Sequence, residues 1–192
     1  MIAHLNGRLV EKNPTNVVIE CGGVGYFVKI SLHTFTSIPS GEQIKLFTQQ
    51  IVREDGHFLY GFATTEEREV FNLLISVSGI GPNTAVLMLS SLMPSDIAHA
   101  IQTDDVLTIQ SIKGIGAKTA QRVIIDLKDK MMKVEWVDST NIFAAHNTTK
   151  FDALNALISL GFDKKAAEKA LDKITTGEES VEQLIKGALK IL

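Results

Sequence analysis

Ser76-Val77-Ser78-Gly79-Ile80-Gly81-Pro82-Asn83-Thr84-Ala85 and, 35 positions further on, Ser111-Ile112-Lys113-Gly114-Ile115-Gly116-Ala117-Lys118-Thr119-Ala120 are two versions of one pattern. In each, a Gly-Ile-Gly stands between two stretches of helical periodicity. Glycines one residue apart let the backbone turn sharply, φ > 0 included. The missing Cβ atoms let a phosphate come close. The turn opens into a helix N-terminus, where unpaired N–H groups and the positive end of the helix dipole face outward. The central isoleucine is expected to anchor the turn in the core. Lys118, Thr119 and Arg122 fall in the first turns of the second copy's helix and can add charge and hydrogen bonds. Such a site holds backbone phosphate without distinguishing bases. One copy alone would fit a plain helix–helix turn. Two copies with the same flanking Ser, Ile, Thr and Ala favour a phosphate site.

The glycines exclude two other phosphate sites. Neither copy has the Gly-x-x-x-x-Gly-Lys-[Ser/Thr] spacing of a mononucleotide loop or follows a clear strand. Gly22-Gly23-Val24-Gly25 lacks the further glycine of a dinucleotide fingerprint and reads as a strand bend.

Around the repeat, the chain is helical from Thr64 to about Lys133. Thr64 with Glu67 fits a capping box before the amphipathic run Val70, Phe71, Leu74, Ile75, and Pro82 and Pro94 are each placed to begin a helix. Upstream lie five stretches rich in β-formers: Leu5–Val10, Asn16–Cys21, Gly25–Ser31, Ile44–Arg53 and His57–Phe62. Turn residues separate them at Asn13-Pro14, Gly22-Gly23, Pro39-Ser40-Gly41 and Asp55-Gly56. Five short strands suit a small barrel, OB-like or SH3-like. Glu54-Asp55-Gly56 fits a solvated hairpin turn. Downstream, residues 135–149 look like a flexible linker, with a local turn around Ile142-Phe143. From Lys150 the spacing of Leu154, Leu157, Ile158, Ala166, Ala170, Leu171 and Ile174, with Gly161 at a tight turn, suggests two helices, and Val181–Leu192 a third. The expected fold is therefore α+β and multidomain: a five-stranded OB-like barrel (1–63), a tandem helix-hairpin-helix domain (64–134), the linker (135–149) and a three-helix, UBA-like module (150–192).

Charge narrows the mode of binding. The net charge is −3, and no segment is strongly basic. Any contact with nucleic acid must rest on local geometry and backbone dipoles, multiplied by oligomerisation, rather than on bulk charge. No apolar run reaches the roughly 18–20 residues that span a bilayer. Cys21 is the single cysteine. With no export signal at Met1–Arg8, a reducing cytoplasm is the expected compartment.

Three function classes compete. A base-excising enzyme would need a flipping pocket and a catalytic carboxylate or lysine. Asp126 and Asp138 follow the second hairpin, but Asp126 sits on a helix beside Lys128 and Lys130, as a surface ion-pair partner would. A nuclease would need clustered metal-binding carboxylates. Glu66-Glu67, Asp104-Asp105 and Glu178-Glu179 instead lie far apart, where helix starts or solvated turns are expected, and the five histidines show no metal spacing. A scaffold binding only proteins leaves the double hairpin without a purpose. A DNA-binding subunit without a catalytic site, metal or cofactor accounts for it.

Several stretches carry a resemblance: Ile19-Glu20-Cys21-Gly22-Gly23-Val24-Gly25-Tyr26, Val52-Arg53-Glu54-Asp55, Leu59-Tyr60-Gly61-Phe62, both Gly-Ile-Gly motifs and Leu160-Gly161-Phe162. Over nearly its whole length the chain resembles the RuvA family of Holliday-junction branch-migration subunits, which serve homologous recombination and DNA repair. The resemblance implies a homotetramer, single or paired as an octamer, that holds a four-way junction open. It implies phosphate contacts from Gly79, Gly81, Asn83, Gly114, Gly116, Lys118, Thr119 and Arg122, and an acidic pin at Glu54 and Asp55. The third module would recruit a RuvB-type hexameric ATPase motor through Leu157, Leu160, Phe162 and Leu189, residues that could equally be the module's own core. A RuvC-type resolvase would act on the same junction. The family often has lysine where Asn83 and Ala117 stand here. Fewer counterions would then be released on binding, so a shallower salt dependence is expected.

Overall fold

A computed structural model describes residues 1–39, 41–132, 134, 145–174 and 179–192. The chain divides into two compact units, Met1–Val137 and Asp138–Leu192.

The first unit begins with a closed barrel. Its strands are β1 (His4–Asn13), β2 (Asn16–Cys21), β3 (Val24–Ile30), β4 (Gln43–Arg53) and β5 (Gly56–Phe62), in the order β1-β2-β3-β5-β4. All neighbours are antiparallel except β3 and β5, which run parallel. This is the five-stranded Greek-key closure of an OB-like barrel, which decides between the two barrels open at the sequence level. Alternation builds it: Val17 and Ile19 on β2, Val28 and Ile30 on β3, and Ile44 and Leu46 on β4 point inward and are buried. Gly22 (φ +59) and Gly23 (φ +85) form the two-residue turn between β2 and β3. The expected strand bend is thus a tight hairpin, of the kind that needs φ > 0 at both positions.

The short helix α1 (Leu32–Ser37), which periodicity did not suggest, links β3 to β4 and is capped by the Ser31 hydroxyl, which accepts from the Thr34 N–H. The next helices are α2 (Thr65–Ile75), α3 (Pro82–Ser91), α4 (Pro94–Gln102), α5 (Val106–Gln110) and α6 (Ala117–Met131). Pro82 and Pro94 begin α3 and α4 as expected. The barrel and these helices share a core. Tyr60 and Phe62 at the end of β5 stack on Phe71 of α2, with ring centroids 5.2 and 4.9 Å apart, and Leu74, Met88, Ile101, Ile109 and Leu127 extend the same cluster.

Half of the predicted capping box forms. The Thr64 hydroxyl accepts from the Glu67 N–H, but the Glu67 carboxylate turns inward. There it is fully buried and accepts hydrogen bonds from the Ser31 and Thr34 hydroxyls and the Ala63 N–H. A buried carboxylate needs such donors. Glu67 therefore ties α1 and the barrel exit to the helical layer.

The second unit packs α7 (Ala145–Ser159), α8 (Lys164–Ile174) and α9 (Val181–Ala188) around Ala153, Leu157, Ala167, Ala170, Leu171, Leu184 and Ala188. Gly161 turns α7 into α8 at φ +97, and a capping box of Ser180 with Gln183 starts α9. Helix α7 begins before Lys150, so Ala145–Thr149, assigned to the linker from sequence, belong to it. The rest of that linker, with Asp138 and the turn at Ile142-Phe143, lies outside the described residues. Among the described residues, no single helix is long and apolar enough to cross a membrane.

Candidate nucleic-acid interface

Hairpin 1 is α2–turn–α3 and hairpin 2 is α5–turn–α6. Their turns agree in local structure. Ile80 and Ile115 are buried, and each donates its N–H three residues back, to Val77 (3.0 Å) and Ile112 (3.1 Å). The Ser76 and Ser111 hydroxyls donate to the Leu73 and Thr108 carbonyls, both at 2.7 Å. Along the two ten-residue stretches, burial agrees everywhere except at Pro82, buried, against Ala117, exposed. The isoleucine anchors inward as expected, and the glycines lie on the surface.

The two glycines of each turn do different things. Gly79 (φ +96) and Gly114 (φ +89) occupy the left-handed region that only glycine enters cheaply. Gly81 (φ −88) and Gly116 (φ −82) are extended helix N-caps, in a conformation open to any residue, and a Cβ at either would meet nothing within 4 Å. Neither backbone strain nor packing asks for glycine there.

What the second glycines leave out is a capping side chain. Ser31, Thr64, Asp105 and Ser180 cap α1, α2, α5 and α9 through side-chain oxygens, whereas α3 and α6, like α4 behind Met93, have no side-chain cap bond, and of these three only α3 and α6 begin at a glycine. A Ser, Thr, Asn or Asp at the two glycine positions would add a side-chain cap bond, a gain of only about a few tenths of a kcal/mol over glycine. Its absence leaves the first-turn N–H groups facing out at the positive end of the helix dipole, uncovered by any side chain of residues 81 or 116. Such a surface can accept an anion.

Two hydrogen bonds tie this surface together. The Arg122 guanidinium on α6 donates to the Ser78 carbonyl of hairpin 1 at 3.3 Å. The Tyr60 phenol on β5 donates to Asn83 Oδ1 at 3.3 Å. Burial pushes the Tyr60 phenol up from its ordinary pKa, partly offset by Arg53. Lys113 and Lys118 are exposed beside the second turn, and Thr119 is half-buried. Sequence singled out neither Tyr60 nor Ser78 for these roles, because each partner lies more than twenty positions away. Lys128 pairs with Asp104 across the turn before α5, not with Asp126, which is exposed on the same helix.

Glu54 and Asp55 are the exposed two-residue tip of the β4–β5 hairpin, next to the exposed Arg53. In the second unit the four residues singled out separate. Leu157 is fully buried in the three-helix core, and Phe162 packs against that core. Leu160 is 61% exposed and Leu189 43%. Leu157 is thus a core residue rather than a surface contact, because its place on α7 faces α8 and α9.

Fold and turns define a class: a small β-barrel joined to tandem helix-hairpin-helix motifs whose second helices start, without a side-chain cap, at an exposed glycine. Comparison with known proteins narrows it. Residues 1–61 match the family model for the RuvA N-terminal domain, 71–129 the SAM-like helix-hairpin-helix tandem, and 152–192 the RuvA C-terminal domain. Proteins named Holliday junction branch migration complex subunit RuvA, from Christiangramia forsetii and Flavobacterium psychrophilum, are 56% and 57% identical over 194 residues, covering 100% of both chains. A relative of the same name from Neisseria meningitidis is 42% identical, over 99% of this chain and 100% of its own. The chain belongs to the RuvA family.

Proposed function

We propose that this chain is the junction-binding subunit of a branch-migration complex. It grips four-way DNA through both hairpins and does no chemistry itself. The observation that carries this is the repeated, uncapped and solvent-facing α3 and α6 N-termini behind Gly81 and Gly116. Gly79, Gly81, Asn83, Gly114, Gly116, Lys118, Thr119 and Arg122 would line the phosphate contacts. The name that the relatives carry supports both the junction and the complex.

In this reading four copies assemble around the crossover, singly or paired as an octamer. Glu54 and Asp55, exposed on a tight hairpin, then project toward the centre. Four copies of that acidic pair would repel phosphates and help separate base pairs. The three-helix module, which starts at Ala145 rather than Lys150, recruits a RuvB-type hexameric ATPase in the cytoplasm, with Leu160, Leu189 and the half-buried Phe162 as its contact face. A RuvC-type resolvase acts on the same opened junction. Residues 1–63 and 64–134 are the barrel and DNA-binding domains.

The test is a gel-shift competition between a synthetic four-way junction and linear duplex of equal length, at physiological salt with Mg²⁺. Strong junction preference, abolished on combining Gly114→Ala with Gly116→Ala, is expected. Equal binding to both would reduce the chain to a general duplex binder, and binding to neither would leave a protein scaffold.

A further inference from the structure

Hairpin 2 brings its own cations to the turn and helix start: Lys113, Lys118 and Arg122. The matching stretch of hairpin 1, Ser76–Ala85, contains none. The barrel meets hairpin 1 at this place. A cavity of about 350 Å³ there is lined by Lys29, Tyr60, Asn83 and Ser90, with Phe27 and Leu87 at its apolar side. Lys29 and Tyr60 are cross-strand partners in the parallel β3–β5 pair. The Lys29 ammonium lies 5.3 Å from the Phe58 ring centre and 5.8 Å from that of Tyr60. It enters none of the ion pairs among the described residues.

We propose that the barrel completes the anion site of hairpin 1: Tyr60 fixes the Asn83 amide with its NH₂ outward, and Lys29 supplies beside Asn83 a positive charge that the hairpin's own residues lack. The ligand is a backbone phosphodiester of DNA. The inference rests on the phosphate-binding role proposed above for Asn83.

Its chemistry follows from the donors present. A carboxamide has one acceptor edge and one edge with two donors. The Tyr60 hydroxyl occupies the acceptor edge, which leaves the donor edge for an anion. Burial keeps the phenol neutral, and therefore a donor, through the neutral range. The Lys29 ammonium rests on ring faces and has no carboxylate ion-pair partner among the described residues, so it is open to an anion. A phosphate bonds it more strongly than the rings do. One cation and one amide suit the single negative charge of a diester.

The test is fluorescence anisotropy of the full chain with a labelled four-way junction across a series of NaCl concentrations. Lys29→Gln is expected to weaken binding about fivefold or more and to lower the slope of log K against log salt by about 0.9 for each phosphate no longer neutralised, whereas Lys29→Arg keeps both. Tyr60→Phe is expected to cost about fivefold, the effect of removing one hydrogen bond. In an Asn83→Ala background it should cost nothing, an outcome that a merely structural role for Tyr60 would not give. Wild-type affinity and slope in Lys29→Gln and Tyr60→Phe, with binding abolished in the Gly114→Ala, Gly116→Ala variant, would overturn the inference and leave the junction-binding proposal intact. Equal effects of Tyr60→Phe with and without Asn83 would overturn the role of Tyr60. A wild-type chain that binds no junction would overturn both proposals.

Discussion

Hairpins 1 and 2 share a backbone and differ in charge. Both turn at a left-handed glycine, bury the same isoleucine and expose an uncapped helix start. Hairpin 1 then has Ser78, Pro82 and Asn83 where hairpin 2 has Lys113, Ala117 and Lys118. The geometry that presents N–H groups is therefore separable from the charge placed beside it. In the proposed complex, hairpin 1's own residues bind by dipoles and amides and take their cation from Lys29 of the barrel, whereas hairpin 2 carries salt-sensitive cations of its own.

The largest effect should come from removing that added charge. Lys118→Gln with Arg122→Gln is expected to lower junction affinity more than tenfold at physiological salt and to flatten the salt slope by about 0.9 for each phosphate left without its cation. Asn83→Ala, at the position matching Lys118, should weaken binding about fivefold with the slope unchanged, since an amide releases no counterion. Salt-series titrations of the two variants check this. A slope change in Asn83→Ala, or none in the double variant, breaks the distinction between the hairpins.

A smaller effect separates the two glycines within each turn. Gly79→Ala and Gly114→Ala force a side chain into the left-handed region and should each cost about 1–2 kcal/mol of stability. Gly81→Ala and Gly116→Ala meet open space at ordinary φ but put a poor N-cap residue in place of a good one, so each should cost about 0.5–1 kcal/mol of stability, less than the left-handed positions, while junction binding weakens. Melting curves and binding curves on the four variants make the comparison. If Gly116→Ala binds as tightly as wild type, close phosphate approach is not why glycine stands there.

Much of this was legible because it is periodic or local. Runs of β-forming residues between turn residues marked all five strands to within a few residues, and Gly-Ile-Gly marked both turns. The cap at Thr64 likewise sits next to what it caps. Helix α1 was not legible, because six residues between a strand and a proline turn give no period to follow. Nor was the inward rotation of Glu67, whose partners Ser31 and Thr34 lie on another element. The same limit hid the Arg122–Ser78 and Tyr60–Asn83 bonds and the pairing of Lys128 with Asp104 instead of Asp126. Leu157 and Leu160 look alike in an apolar pattern. Only the position of Gly161 and the packing of α8 and α9 put one inside and leave the other out.

The smallest effect lies in the first helices, which both hairpins cap with a side chain but with different chemistry. Thr64 caps α2 with a hydroxyl that does not titrate in the accessible range. Asp105 caps α5 with a carboxylate, and hydrogen bonds from the Thr108 hydroxyl and N–H hold its pKa below the ordinary 3.8. A lowered folded-state pKa means that the cap contributes fully above the ordinary 3.8 and fades as pH falls through the lower, folded-state value. Asp105→Ala should therefore lower Tm at neutral pH, and the gap from wild type should close in strong acid. Thr64→Ala should cost about 1 kcal/mol at every pH where the chain folds. Thermal melts of both variants from neutral pH down into strong acid decide it. A constant gap for Asp105→Ala would mean that the aspartate caps α5 through shape and not through charge, and the two first helices would then be equivalent after all.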